Sequence, residues 1–389
     1  MPSDQLKSTA RSLRDWATRQ ALPFWSTSGF DSEHDRFEER VSLAGNRVPG
    51  VPIRLMTQAR QIYSFGLADR RGWHRDASGI VERAYGSMVR DFHRRDGNDG
   101  WIFSIHRDGA IADAKRDLYA HAFVLLAIAS YVAATGRREA LALADATLSF
   151  VDGHLRAAEG GGYVDSVPPG DDLRRQNPHM HMFEALLSLW SSSADRRYLD
   201  RAAEIFDLFT RHFFRREVGA LGEYFNARLD PAVGVAGNIV EPGHHYEWIW
   251  LLRWFERESG QPVQFYVDAL YAHANSHGYD AAGLIVDEVL LDGSVRAPSH
   301  RAWPMTEAIK ANLAEAALGR TDAESKAITL VGLLRDRFLT REPAGGWIDR
   351  LDEHGRCATD FMPASTLYHL LCALGELDQS PLAHPVGSN

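Results

Sequence analysis

Hydrophobic residues recur along most of the chain with the period of about 3.6 residues that is typical of amphipathic helices. This pattern predicts about twelve helices, and several of them are followed by a glycine suited to a helix end, such as Gly136, Gly260 and Gly319. The helices are predicted over residues 4–21, 52–68, 76–95, 116–135, 138–157, 178–194, 197–215, 243–259, 263–278, 302–319, 322–340 and 361–376. The chain is therefore predicted to be all-α.

Short segments with strand character and flanking glycines lie between successive helix pairs, at residues 101–105, 162–165, 222–225, 283–287 and 346–349. The predicted helices alternate in type, because residues 119–134 are apolar on nearly every side whereas residues 197–215 have one polar face. Six helical hairpins with buried inner and amphipathic outer helices are expected to close into an (α/α)6 barrel with short β-hairpin excursions. A single domain over residues 1–389 is predicted, and an open α-solenoid is the alternative.

The composition narrows the range of partners. The formal net charge of −9 and the lack of a Lys/Arg-rich run argue against a nucleic-acid partner. Two cysteines and an N-terminus without the apolar run of a signal peptide fit a cytoplasmic protein. The apolar segment 120–134 is shorter than the ~20 residues of a membrane span, so it is expected to be a buried helix and no membrane partner is predicted. A homo-oligomer is compatible with this composition.

Two histidines far apart in the sequence suggest acid–base chemistry. His244 and Glu247 are three positions apart and share one face of a predicted helix. His369 stands among leucines, where an imidazole has no packing advantage and its burial requires a partner. Two imidazoles in one pocket could remove and return a carbon-bound proton near neutral pH, because their ordinary pKa is about 6.5. A capped helix start with core tryptophans is the alternative at His244.

Further polar residues stand in apolar helices. Asn177 and His181 share a face if their helix begins early, whereas His179 and His181 diverge by about 200° and are not expected to hold one metal ion together. Arg60 lies in an apolar face and needs a partner or a polar cavity. Candidate pocket walls are Tyr119, Trp303 and Trp347. Because Gly-rich phosphate loops and His-Glu-x-x-His are missing, neither a cofactor nor a metal is predicted.

Several motifs together resemble one family. They are Gln58-Ala59-Arg60-Gln61-Ile62-Tyr63, Asp117-Leu118-Tyr119, Asn177 to Ala185, Pro242 to Trp248, Trp303 with Glu307, Gly345-Gly346-Trp347 with Asp349, and Tyr368-His369. In these motifs the chain resembles the N-acylglucosamine 2-epimerase superfamily almost from end to end, and most of all its mannose isomerase members. Met305 and Ser365 depart from the family pattern, where other members carry glutamine and a longer polar side chain, which bears on the choice of sugar.

The resemblance implies a central sugar pocket in which His244 and His369 are the catalytic pair. It implies as substrate contacts Arg60, Tyr119, Asn177, His181, Glu247, Trp303, Glu307, Trp347 and Asp349. The expected reaction interconverts D-mannose and D-fructose through a cis-enediolate without a cofactor, with His369 as the base at C2, and an exchange of roles between His369 and His244 is the alternative. A sugar 2-epimerase, acting on a monosaccharide or disaccharide, is the alternative. An (α/α)6 glycosidase with carboxylates such as Asp287 and Glu288, or a sugar-binding scaffold without activity, would be different classes of protein.

Overall fold

The computed structural model describes residues 3–379, which form twelve long helices joined by loops and short strands. The first helix, α1 (Asp4–Trp16), continues through a π-helical turn, Ala17–Ala21, and a short helix, Leu22–Trp25. The others are α2 (Leu55–Arg70), α3 (Ala77–Phe92), α4 (Leu118–Thr135), α5 (Leu141–His154), α6 (Gln176–Ser193), α7 (Arg196–Leu208), α8 (Pro242–Ser259), α9 (Gln264–His277), α10 (Ala302–Ala317), α11 (Ala323–Leu334) and α12 (Thr366–Gln379). The helices α7 and α11 end in π-helical turns, Phe209–Phe213 and Arg335–Leu339.

The even-numbered helices form a closed inner ring. Each of them contacts the next, and α12 returns to α2, while the odd-numbered helices pack around the outside. This arrangement confirms the predicted (α/α)6 barrel, and the closure of the ring overturns the open solenoid. The inner helix α4 is long and apolar enough to cross a membrane, but 78% of it is buried inside the structure between α2 and α6. Its apolar sequence is explained by its place in the core.

Short strands precede the inner helices and define one rim of the barrel. Each pairs, antiparallel, with a strand from a neighbouring repeat rather than within a local hairpin. The pairs are Ile53–Arg54 with Ser104–Ile105, Arg116–Asp117 with Ser166–Val167, Arg174–Arg175 with Tyr224–Phe225, Ile239–Val240 with Glu288–Leu290, His300–Arg301 with Arg350–Leu351, and Phe361–Pro363 with Arg40–Ser42. The last pair joins the two ends of the ring, so residues 361–363 are a strand and the prediction of helix there was wrong.

Local hairpins are also present, and they extend or supplement this rim. Ile111–Asp113 and Val295–Ala297 add third strands to Ser104–Ile105 and Glu288–Leu290. Two further pairs are Phe30–Asp31 with Arg36–Phe37, and Phe214–Arg215 with Ala220–Leu221. Short hairpin excursions are thus present, but of the predicted segments only 101–105 falls on one of these hairpins, and most strands tie successive repeats together.

Candidate active site

The inner helices share a common register at the strand rim. The first residue of a helix donates its backbone N–H to a loop carbonyl, as Leu55 does to Phe103 and Ala302 does to Asp349. Ala364, just before α12, makes the equivalent bond to Glu39 at 3.1 Å. Counting from these residues, the sixth position of the six inner helices holds Arg60, Phe123, His181, Glu247, Glu307 and His369. All six side chains are buried, and we call them the central layer.

The members of the central layer follow one another around the barrel axis. The guanidinium of Arg60 lies 4.2 Å from the ring centre of Phe123, whose ring centre is 4.5 Å from that of His181. The Nδ1 atom of His181 is 3.9 Å from a carboxylate oxygen of Glu247. One carboxylate oxygen of Glu247, one of Glu307 and one imidazole nitrogen of His369 all lie within 4.8 Å of one another. Sequence positions that span more than three hundred residues thus form one polar cluster.

A second layer lies nearer the rim, at the second position of each inner helix. It contains Tyr119, Asn177 and Trp303, and the Tyr119 hydroxyl accepts a hydrogen bond from Arg60. The ring centre of Trp303 is 5.1 Å from that of His244 and 5.6 Å from that of His369. The two histidines therefore flank a single tryptophan. The Oδ1 atom of Asn177 is buried without a hydrogen-bond partner.

His244 is bound to Glu223, a residue that the sequence reasoning missed. The Nδ1 atom of His244 lies 3.1 Å from both carboxylate oxygens of Glu223, which also accepts a hydrogen bond from Gln176 at 2.9 Å. Burial alone would lower the pKa of His244, but Glu223, Glu241 and Glu247 outweigh it and raise that pKa to about 9. His244 is therefore an imidazolium at neutral pH.

His369 also has a glutamate partner, but its imidazole is neutral. Its Nδ1 atom is 2.8 Å from Oε1 of Glu307, whose other oxygen is 2.6 Å from the ammonium of Lys310. Burial, together with the positive charges of Arg60 and Lys310, holds the pKa of His369 well below its ordinary value. A neutral imidazole that donates Nδ1–H to a carboxylate keeps the lone pair of Nε2 available. His369 is arranged as a base.

Two further groups at the axis can bind a sugar hydroxyl. His181 pairs with Glu184 at 3.1 Å, and Tyr368 donates its hydroxyl proton to the same carboxylate. Burial is the main cause that lowers the pKa of His181 to about 4. Burial, aided by the charge of Glu307, raises the pKa of Glu247 well above its ordinary value. Glu247 thus keeps its proton to a higher pH than an ordinary glutamate does.

The neighbouring histidines have a structural role instead. His179 bridges the carbonyl of Arg175 and the backbone N–H of Tyr163, both at 3.0 Å, and His121 makes the equivalent bridge in α4. The Nε2 atom of His245 accepts the N–H of Leu221. All three occupy the fourth position of an inner helix and face a loop. This explains why His179 points away from His181, as their spacing predicts.

Trp347 and Asp349 support the start of α12. The ring of Trp347 is stacked on Trp25, with 4.6 Å between centres, and its backbone N–H points at the sulfur of Met362. A carboxylate oxygen of Asp349 accepts a hydrogen bond from Thr366 at 2.6 Å. These contacts fix the helix that carries His369. The direct contact of Trp347 and Asp349 with a sugar stays a prediction.

Four clusters among the described residues have the spacing of metal ligands, and three of them contain an axial histidine. These three are His181 with Glu184 and Glu247, Glu223 with Glu241 and His244, and Glu247 with Glu307 and His369; the fourth is Asp31 with Glu33 and His34. In each of the three axial clusters the Nδ1 atom of the histidine already faces a carboxylate, and Lys310 supplies positive charge beside Glu307. These donor sets fit hydrogen-bonded pairs. Metal independence stays a prediction.

A closed helical barrel with two histidines beside one tryptophan and buried acids on its axis holds groups suited to acid–base chemistry. The model of the N-acylglucosamine 2-epimerase (GlcNAc 2-epimerase) family matches residues 37–373, and the chain belongs to this family. It is 34% identical to a mannose-6-phosphate isomerase of Rhizobium meliloti (strain 1021), over 95% of this chain and 96% of that protein. The protein is therefore an enzyme of the isomerase class.

Solved structures of relatives share the fold. A D-mannose isomerase superimposes with a TM-score of 0.83 at 20% identity, over 97% of this chain and 99% of that chain. A cellobiose 2-epimerase from Bacillus thermoamylovorans B4167 superimposes with a TM-score of 0.85 at 18% identity, over 95% and 98% of the two chains. Isomerases and epimerases thus share one barrel, so the choice between the two reactions depends on the site.

Proposed function

We propose that the protein interconverts D-mannose and D-fructose, with His369 as the base that moves a proton between C2 and C1. The observation that carries this proposal is the unequal protonation of the axial histidines. His369 is neutral with a free Nε2, whereas His244 is held as a cation by Glu223. A neutral imidazole can accept a proton and a cationic one can donate it. The site thus offers one base and one acid at neutral pH.

The proposed steps use His369, His244 and Arg60. After the hexose ring opens, Nε2 of His369 removes the C2 proton, and the electron pair forms a cis-enediolate between C1 and C2. His369, whose Nε2–H exchanges with solvent, then delivers a proton to C1, while the oxygen on C1 gains a proton and the oxygen on C2 loses one. The imidazolium of His244 donates and recovers the proton that moves between these oxygens. Arg60 stabilises the negative charge of the enediolate.

The unequal histidines favour isomerisation over 2-epimerisation. In 2-epimerisation one group removes the C2 proton and the other delivers a proton to the opposite face, so every turnover exchanges their protonation states. Both states must then be accessible, which needs similar pKa values for the two groups. In the proposed isomerisation His369 recovers its starting state without help. The opposite pKa shifts of His244 and His369 therefore support a single base at carbon.

The rim favours a neutral hexose over a sugar phosphate. Arg54, Arg175 and Arg301 each directly precede an inner helix, and each donates to a loop carboxylate at 2.7 to 2.8 Å. A phosphate would have to compete with these carboxylates for the guanidinium groups. Arg40 makes no ion pair among the described residues; it lies over the ring of Phe361 at 4.3 Å, beside a rim pocket of about 530 Å³.

Incubation with D-mannose in deuterated water tests the reaction. The expected product is fructose with deuterium at C1, read by NMR. Glucose with deuterium at C2 would instead establish the 2-epimerase. D-mannose 6-phosphate is assayed in parallel with the wild type and with Arg40→Gln. A higher kcat/KM for the phosphate that is lost in the Arg40 variant would contradict the neutral-hexose proposal.

A further inference from the structure

Lys310 is a charged side chain in the core that the proposed steps do not use. It is fully buried on α10, three residues after Glu307, and its ammonium lies 3.7 Å from the ring centre of Trp250. Its nearest negative charge is Glu307, at 2.6 Å. A buried ammonium is strongly unfavourable unless an opposite charge accompanies it. The ion pair with Glu307 is therefore the reason that this cation is tolerated.

The surroundings of Lys310 contain more acids than bases. Besides Glu307, the groups that face it are Glu184 on α6, Glu247 on α8, and Cys372 and Glu376 on α12; the charges of Lys310 and Arg60 both act on His369. Burial raises the pKa of Glu307, and Lys310 is the largest influence that opposes this rise. Without the ammonium, a proton on Glu307 would be favoured.

Trp250 keeps water away from this ion pair. Its ring covers the ammonium of Lys310 on one side and lines a cavity of about 930 Å³ on the other. That cavity lies at the C-terminal ends of the inner helices, opposite the strand rim, where Arg70, Trp254 and Glu376 also line it. Because the tryptophan separates Lys310 from this cavity, Glu307 and not solvent balances its charge.

We propose that Lys310 is a positioning residue that keeps Glu307 ionised and thereby fixes the tautomer of His369. An ionised Glu307 can only accept a hydrogen bond, so His369 must donate Nδ1–H and present a bare Nε2 to the sugar. A protonated Glu307 would donate to Nδ1 instead and move the ring proton to Nε2. His369 could then no longer take a proton from carbon. The inference deepens the proposed function, because it explains how the base is held ready.

The tautomer of His369 can be read directly from imidazole ¹⁵N shifts in ligand-free protein, with the signal assigned by its loss in His369→Asn. The wild type is expected to show the Nδ1–H form, and Lys310→Met the Nε2–H form. The kcat of Lys310→Met should fall by about 100-fold with little change in KM, because general-base catalysis contributes on this scale. Lys310→Gln, which retains a hydrogen-bond donor without the charge, is expected to behave in the same way.

Arg253→Met is the matched control. Arg253 on α8 forms a buried ion pair with Glu315 on α10 at 2.6 Å, nearer the C-terminal end of α10 than Glu307. Its loss should reduce stability while leaving the tautomer and kcat unchanged. An Nε2–H tautomer in the wild type, or an Nδ1–H tautomer with wild-type kcat in a Lys310 variant, would overturn the proposal. Because the tautomer needs no substrate, a failure to produce fructose would reject the proposed reaction separately.

Discussion

The two histidine centres of the barrel are built alike, but the imidazole of His244 is charged and that of His369 is neutral. In both, a buried imidazole places Nδ1 about 3 Å from a glutamate, Glu223 for His244 and Glu307 for His369. The pKa of His244 is nevertheless raised to about 9, while that of His369 is held well below its ordinary value. The carboxylate partner alone therefore does not decide the protonation state.

The difference between the two pKa values comes from the charged residues around each histidine–glutamate pair. His244 faces Glu241 and Glu247 in addition to its partner, whereas His369 faces the cations Arg60 and Lys310. Surplus negative charge stabilises an imidazolium in spite of the cost of burying its charge. Surplus positive charge acts together with burial to favour the neutral ring. A histidine–carboxylate pair thus becomes an acid or a base according to its neighbours. This lesson extends to other sites in which two such pairs share one cavity.

The largest loss of activity is expected when either histidine is replaced by asparagine. We expect kcat to fall by about 10³-fold or more for both His369→Asn and His244→Asn, since each removes an acid or base from the reaction. Only His369→Asn should also abolish exchange of the C2 proton with deuterated water, because His369 is the group at carbon. NMR of recovered mannose measures this exchange. Equal exchange in the two variants would contradict the division of roles.

The substitution Glu223→Gln should make the pKa of His244 more similar to that of His369. Because Glu223 is the carboxylate that raises the pKa of His244 most, its loss lowers that pKa. An acid is lost as the pH rises through its pKa, so kcat/KM of the wild type should decline above about pH 9 and that of the variant should decline at lower pH. At pH 8 we expect a loss of about tenfold or more in kcat/KM. The pH profile of kcat/KM measures the shift.

Glu241→Gln is the control for this profile. Glu241 also raises the pKa of His244, but it is bound to Arg301 at 2.6 Å and makes no hydrogen bond to the imidazole. The alkaline limb should therefore move in the same direction by a smaller amount. An alkaline limb that stays in place in Glu223→Gln would show that His244 is not the acid.

The (α/α)6 barrel could be predicted from the sequence because the helix pattern is strong and repeated. The apolar residues of α4 and the polar face of α7 already distinguish inner from outer helices. The strand pairing was not predictable in the same way, since each partner lies in another repeat. Periodicity within a short window contains no information about which distant segment completes a sheet. For this reason residues 361–363 were predicted as helix and are a strand.

Only part of the candidate active site could be predicted from the sequence, for the same reason. Histidines and an arginine among apolar residues are visible in any window, which is how His369 and Arg60 were found. Glu223 lies in a polar loop, where a glutamate is unremarkable. A signal exists only when the repeats are aligned, because Asp165, Glu223 and Asp287 occupy the same place in successive loops. Lys310 could have been found as a charged residue one turn from Glu307 in an apolar helix.

The smallest effect is expected at a position outside both histidine centres. Met305 is the fourth residue of α10 and is equivalent to Gln58 in α2. The side-chain amide of Gln58 accepts one hydrogen bond from the backbone of Phe37, in the strand Arg36–Phe37, and donates another to it, both at 2.8 Å. Ser365 instead takes the second position, in the layer of Trp303. Met305→Gln should therefore change the ratio of kcat/KM for mannose and glucose by less than about twofold, because ~1 kcal/mol of differential binding would be needed to exceed this clearly. Ser365→Gln should change it more, since a longer amide at the second position reaches toward the sugar. A larger change from Met305→Gln than from Ser365→Gln would show that the loop-facing position, and not the axis, selects the substrate.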